Sequence, residues 1–191
     1  KRLGLPDCLT ILSAGGSQGA SRLNEAVVQL LAYEQKKGNI NHIHGYGKHG
    51  RDTFMQSLED NGVDAGNPHF IIKEYIDNMY TCMCASDLII TRAGAMTLTE
   101  IMAIGRASVL IPYPYAAENH QYYNALTLQN SNAGRIIDDK ELTGSVLIDT
   151  VNRLADDPEL LRLMSENAAK LSKREAAGII LREITELMGI K

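Results

Sequence analysis

Short aliphatic and β-branched runs alternate with stretches of helical length along most of this chain, and that alternation limits the fold more than any other feature. Residues 9–12 (Leu-Thr-Ile-Leu) read as a strand that ends in Gly15-Gly16-Ser17-Gln18-Gly19, with a helix over 20–35. A second strand at 40–44 leads into a glycine-bearing turn at Gly45 and Gly47 and a helix near 52–61. A strand at 70–72, a short helix at 79–85, a strand at 88–91 and a helix at 95–104 follow. Residues 109–111 form a fifth strand stopped by Pro112, and a helix at 119–129 precedes a sixth strand at 135–137. Strands this short, each followed by a helix, define βα units with parallel strands and right-handed crossovers. The fold class is therefore α/β, a Rossmann-like three-layer parallel sheet.

From Leu142 onward the pattern predicts helices only. Asp157 is placed to cap one of them, with Pro158 in its first turn and Glu159 near its positive end. Leu160, Leu161 and Met164 then share a face. The last helix, about 175–188, carries Ile179, Ile180, Ile184, Leu187 and Met188 on a broad apolar stripe. That stripe either completes the core or docks on a neighbour.

The 191 residues suit one domain with a helical appendage. Nineteen basic against 23 acidic side chains give a net charge of −4, and Trp is absent, so neither a basic face nor a stacking platform for nucleic acid is expected. No apolar run approaches the roughly 18–20 residues of a membrane-spanning helix. Cys8, Cys82 and Cys84 form no even disulfide framework and no zinc quartet, and read as reduced thiols. The opening Lys1-Arg2-Leu3-Gly4-Leu5-Pro6 looks like a cut inside a longer protein.

Three strand-to-helix junctions carry residues fit for chemistry. In Gly15-Gly16-Ser17-Gln18-Gly19 the glycines permit left-handed dihedrals, and the helix start beyond offers free N–H groups to an anion. The same segment is equally a tight structural turn; it is neither GxGxxG nor a Walker loop. In Thr91-Arg92-Ala93-Gly94-Ala95-Met96-Thr97-Leu98-Thr99-Glu100 small residues leave room over a second helix start. Glu100 would accept two ribose hydroxyls there, or Thr97 and Glu100 form a capping box at the surface. In Pro112-Tyr113-Pro114-Tyr115-Ala116-Ala117-Glu118-Asn119-His120-Gln121 the prolines stiffen a loop that opens into a polar cluster. His120 fits a hydrogen-bonding role better than proton transfer, and Asn124 is placed to buttress this loop. His42 and His44 share a strand face without a third ligand, so no metal site is expected; His44 reads as lining a cleft, His49 and His69 as turn or surface residues. Asp138-Asp139-Lys140-Glu141 reads as a solvated turn. In a parallel sheet the three junctions meet at one edge, which suits a nucleoside diphosphate better than a redox dinucleotide.

These three segments, in this order and spacing and together with Asn124-Ala125, resemble the MurG family of bacterial glycosyltransferases. The resemblance covers nearly the whole chain but only the C-terminal half of that family. It implies the C-terminal half of a GT-B enzyme that inverts the sugar carbon as N-acetylglucosamine passes from UDP to the C4 hydroxyl of undecaprenyl-diphospho-muramyl-pentapeptide. It further implies a UDP-sugar-binding domain over 1–170 and a helix over 171–191 returning toward an N-terminal domain that holds the lipid acceptor and the catalytic base. No catalytic residue is then expected here, and no metal or other cofactor beyond the donor UDP-N-acetylglucosamine. The family works at the cytoplasmic face of the plasma membrane as a peripheral protein.

Carried onto this sequence, the resemblance gives Gly16, Ser17, Gln18 and Gly19 to the diphosphate, and the main chain at Ile76, beside Tyr75, to the uracil edge. It places Met96 and Thr97, with Gly94 and Ala95, against diphosphate and ribose, and Glu100 on the ribose hydroxyls. His120 and Gln121 fall to the sugar hydroxyls, Arg92 takes the family's basic position, and Asn124 supports them. The alternatives are a related lipid glycosyltransferase using a UDP-hexose, and a non-catalytic donor-binding subunit that needs a separate acceptor-binding partner.

Overall fold

A computed structural model describes residues 3–189; Lys1 and Arg2, part of the opening read as an internal cut, lie outside the described residues, as do Ile190 and Lys191. The strands β1 (Leu9–Ala14), β2 (Ile40–Gly45), β3 (Phe70–Lys73), β4 (Leu88–Thr91), β5 (Ala107–Leu110) and β6 (Gly134–Ile136) form one sheet in the order β3-β2-β1-β4-β5-β6. Every pairing is parallel. The fifth strand starts and ends earlier than the sequence suggests. Ile111 still donates its N–H to the Thr91 carbonyl at 2.9 Å, and Pro112, with no N–H to give, ends the pairing.

The helices are α1 (Ser21–Lys37), α2 (Phe54–Asp60), α3 (Met79–Ala85), α4 (Ala95–Ile104), α5 (His120–Asn130), α6 (Gly144–Ala155), α7 (Pro158–Leu171) and α8 (Ala176–Leu187). Because side chains alternate across a strand, Ile11 and Ile90 point to one face of the sheet and Leu12 and Ile89 to the other. The first face packs on α1, α2 and α6 through Leu23, Val27, Leu30, Phe54, Leu147 and Val151. The second packs on α3, α4 and α5 through Met83, Leu98, Ile101, Ala125 and Leu128. Burial on both sides explains why β4 is an unbroken apolar run. The α7 cap is as predicted: Asp157 Oδ1 accepts the Leu160 N–H at 2.9 Å, and Leu161 and Met164 are buried. The final helix differs from the rest. Its Ile179, Ile180, Leu181, Ile184 and Leu187 are exposed, so the stripe does not complete this core.

Connections to β2 and β3 lead one way from β1, and those to β5 and β6 lead the other way from β4. The connections that follow the two central strands therefore leave in opposite directions, and a crevice opens between those loops.

One polar cluster interrupts the α1 side of the core. Ser13, Glu34, His42 and His44 are buried there, and His44 does not line a cleft as its sequence position suggested. Burial, reinforced by neighbouring His42, holds the His44 imidazole well below the usual histidine range. The unfolded chain therefore binds a proton below about pH 6.5 that the folded chain refuses. Stability from this group is complete above that pH and is lost as the medium is acidified toward the folded-state value. Urea denaturation is expected to show the unfolding free energy falling by up to about 1.4 kcal/mol per pH unit below that point, a slope reduced in His44→Phe.

Candidate functional site

The turn from β1 to α1 is built by close backbone contact. Gly16 (φ 88°) and Gly19 (φ 83°) both adopt left-handed dihedrals, and the Gly19 N–H closes the turn on the Gly16 carbonyl at 2.9 Å. A Cβ on Gly19 would sit 2.3 Å from the Tyr46 carbonyl oxygen, and one on Gly47 would sit 2.2 Å from the Gly19 nitrogen. The Lys48 and His49 N–H groups donate to the Ser17 and Gln18 carbonyls at 3.2 and 2.8 Å. Gly19 thus serves packing of two loops, whereas Gly16 has open space where a side chain would project. The tight-turn reading of this segment therefore holds at Gly19. Ala20, at the N-cap of α1, provides no side-chain acceptor, which leaves first-turn N–H groups free.

The second junction repeats this feature. Gly94 is the N-cap of α4 and no side chain caps that helix, so Thr97 and Glu100 form no capping box. Glu100 is exposed and Met96 is 76% exposed. Asn124 Nδ2 donates to the Ala93 carbonyl at 3.4 Å, so it supports this junction rather than the proline loop.

The third junction is tethered by its own polar groups. Gln121 Oε1 accepts the Tyr113 N–H at 3.0 Å, leaving the Gln121 amide NH2 to face outward. His120 Nδ1 is 2.9 Å from the Ala117 carbonyl and donates to it, which leaves Nε2 for other partners. Glu118 (φ 51°) and Asn119 (φ 55°) are consecutive left-handed residues just before α5. Arg92 reaches across from β4, donating to the Ile111 and Pro112 carbonyls at 3.3 Å, pairing with Asp139 at 2.6 Å and lying over the Tyr113 ring. Asp139 also pairs with Arg22 at 3.5 Å. Within 138–141, Lys140 and Glu141 are exposed as a solvated turn requires, but Asp139 is a largely buried bridge between two arginines.

These junctions enclose a cleft of about 610 Å³ lined by Gly16, Gln18, Thr91, Thr97, Tyr113 and Gln121 among others. Gly19, Arg92 and Gly94 also line it. A smaller apolar recess shares Gly16, Thr91 and Thr97 with the cleft, runs down to Leu12 and Met83, and has Glu100 on its lining. Ser17, Ala95, Met96, His120 and Asn124 stand beside the cleft without lining it. Tyr75, 60% exposed, and Ile76, whose side chain is buried against α3, follow β3 at the same edge of the sheet. His49, read from sequence as a turn residue, joins the lining because its N–H is tied to Gln18. Its place two residues after Gly47 was the available signal. Two uncapped helix starts on one cleft suit an anionic ligand. Among the described residues no three His, Cys, Asp or Glu side chains gather as a metal site.

A doubly wound sheet with this crevice defines an α/β ligand-binding domain, and the chain belongs to the glycosyltransferase family 28 C-terminal domain family, whose model matches residues 10–180. It is 38% identical over 183 residues to the UDP-N-acetylglucosamine--N-acetylmuramyl-(pentapeptide) pyrophosphoryl-undecaprenol N-acetylglucosamine transferase of Desulforamulus reducens, covering 95% of this chain and 49% of that protein. The same-named protein of Desulfitobacterium hafniense is 40% identical over 176 residues, 92% of this chain and 48% of its own length. The crystal structure of Acinetobacter baumannii MurG matches with a TM-score of 0.80 at 29% identity, over 94% of this chain and 52% of that one. The chain spans about half the length of the curated relatives it matches.

Proposed function

We propose that this chain is the donor-binding half of an inverting glycosyltransferase that moves N-acetylglucosamine from UDP to the C4 hydroxyl of a lipid-linked muramyl-pentapeptide. The observation that carries this reading is the convergence of three loop–helix junctions, two with uncapped helix starts, on one cleft in a chain of this family. The first turns of α1 and α4, near Ser17 and Met96, meet the donor diphosphate. As the bond from C1 to the diphosphate breaks, negative charge grows on the leaving group, and fixed N–H dipoles stabilise it without reorganising. No metal is required for that task. Glu100 takes the ribose hydroxyls, with the uracil edge read by the main chain at Ile76 next to Tyr75. Gln121, through its free NH2, and His120, through Nε2, bind sugar hydroxyls. Arg92, already neutralised by Asp139, shapes the cleft wall.

The acceptor, the catalytic base and the contact with the cytoplasmic membrane face belong to an N-terminal half, toward which α8 returns. The apolar stripe of α8 then finds its cover there. No described helix is long and apolar enough to cross a membrane.

Calorimetric titration with UDP tests the reading. Saturable heat at micromolar to millimolar nucleotide is expected, without sugar transfer by this chain alone. No heat at millimolar UDP would defeat the assignment.

A further inference from the structure

The β1–α1 turn stands on a buried chain of polar groups to which donor binding has given no task. The Ser13 hydroxyl, one residue before the end of β1, lies 2.7 Å from His42 Nε2 and 2.7 Å from His44 Nδ1. His42 Nδ1 lies 2.7 Å from Glu34 Oε2 on α1. One arrangement of donors and acceptors satisfies all three bonds. His44 Nδ1–H donates to Ser13, the Ser13 hydroxyl donates to His42 Nε2, and His42 Nδ1–H donates to the Glu34 carboxylate. Glu34 Oε1 and His44 Nε2, at the two ends of this chain, are buried without a partner.

Above this chain the contacts run outward to the cleft. The His44 ring stacks on Phe54 at 4.7 Å, and Phe54 stacks on Tyr46 at 5.1 Å. The Tyr46 carbonyl accepts from Asn24 Nδ2 at 2.8 Å and closes on Gly19, as does Gly47. The polar groups thus pin the ends of β1 and β2 to each other and to α1, and those ends carry the two loops whose contact forms one wall of the cleft. Packing alone does not call for them, since apolar residues of similar volume often stabilise a core as well or better than buried charge and its partners.

We propose that Ser13, His42 and His44 are positioning residues for donor binding, fixing the β1–α1 turn against Gly47 and thereby the wall that meets the diphosphate. The proposal rests on the donor-cleft reading above. The test compares Ser13→Ala and His44→Phe with the wild type, titrating UDP-N-acetylglucosamine and, separately, uridine, which lacks the diphosphate. Each variant is expected to weaken the sugar nucleotide about tenfold and uridine far less. Backbone amide resonances of Gly16, Gly19 and Gly47 should also move in the ligand-free variants, while that of Gly134, on the far strand, stays in place. Affinities equal to wild type, or equal losses for both ligands, would overturn the proposal and leave the cluster a packing feature only. If the wild type binds no sugar nucleotide at millimolar concentration, the donor reading fails by itself. The ligand-free glycine resonances then decide positioning, and unmoved signals overturn it. Should His44→Phe not fold, Ser13→Ala, the smaller change, carries the same comparison.

Discussion

Gly19→Ala is expected to lower the unfolding free energy by about 2–4 kcal/mol and to abolish UDP binding. Two costs add at this position. The dihedral of 83° is one that a side chain adopts only with strain, and the new methyl would lie 2.3 Å from the Tyr46 carbonyl oxygen, well inside contact distance. Backbone on both sides leaves no flexible neighbour to move aside. Gly16→Ala separates the two costs. Its φ of 88° is as unfavourable, but nothing stands within 4 Å of the added methyl, so only the conformational penalty of about 1–2 kcal/mol applies. Chemical denaturation of the two variants measures the difference. Equal losses would mean that the contact between the two loops is not tight in solution.

Glu100→Ala is expected to weaken UDP by about 10- to 100-fold while leaving the melting temperature close to wild type. Glu100 is exposed and its carboxylate takes part in none of the described hydrogen bonds or ion pairs, so folding loses little with it. A carboxylate accepting from two ribose hydroxyls makes charge-assisted bonds, each strong enough to matter in affinity. The preference for UDP over its 2′-deoxy analogue should shrink in the variant. Unchanged UDP affinity would remove Glu100 from the ribose role.

Most of the fold could be read from the sequence because the pattern is redundant. The 79–85 and 95–104 helices and the 88–91 strand have the boundaries that their composition suggests. The strand at 107–110 was misplaced because Ala107 and Ser108 carry no β-branched signal and are drawn into the sheet by pairing with Leu88 and Ile89. The cleft lining was legible where it comes from a local motif, as in the glycine turn and the proline loop. Contacts between segments distant in the chain were not. Asp139 bridges Arg22 and Arg92 from a stretch that looks like an ordinary polar turn, and His44 is buried by Ser13 and Phe54, neither of which is near it in sequence. Asn124 was expected to support the proline loop, but its partner is Ala93 at the second junction, which could not be chosen without the fold.

The stitching of the loops at this edge has a kinetic meaning. The Gly19, Lys48 and His49 N–H groups bond within or between the first two loops, and the Gly47 N–H bonds the Glu74 carbonyl in the third. None of these bonds can open far while the others hold. Their amide protons should therefore trade with deuterium at rates set by a single shared opening event, slower than their surface location suggests. A ligand gripping any one of the three loops would then slow exchange across all of them.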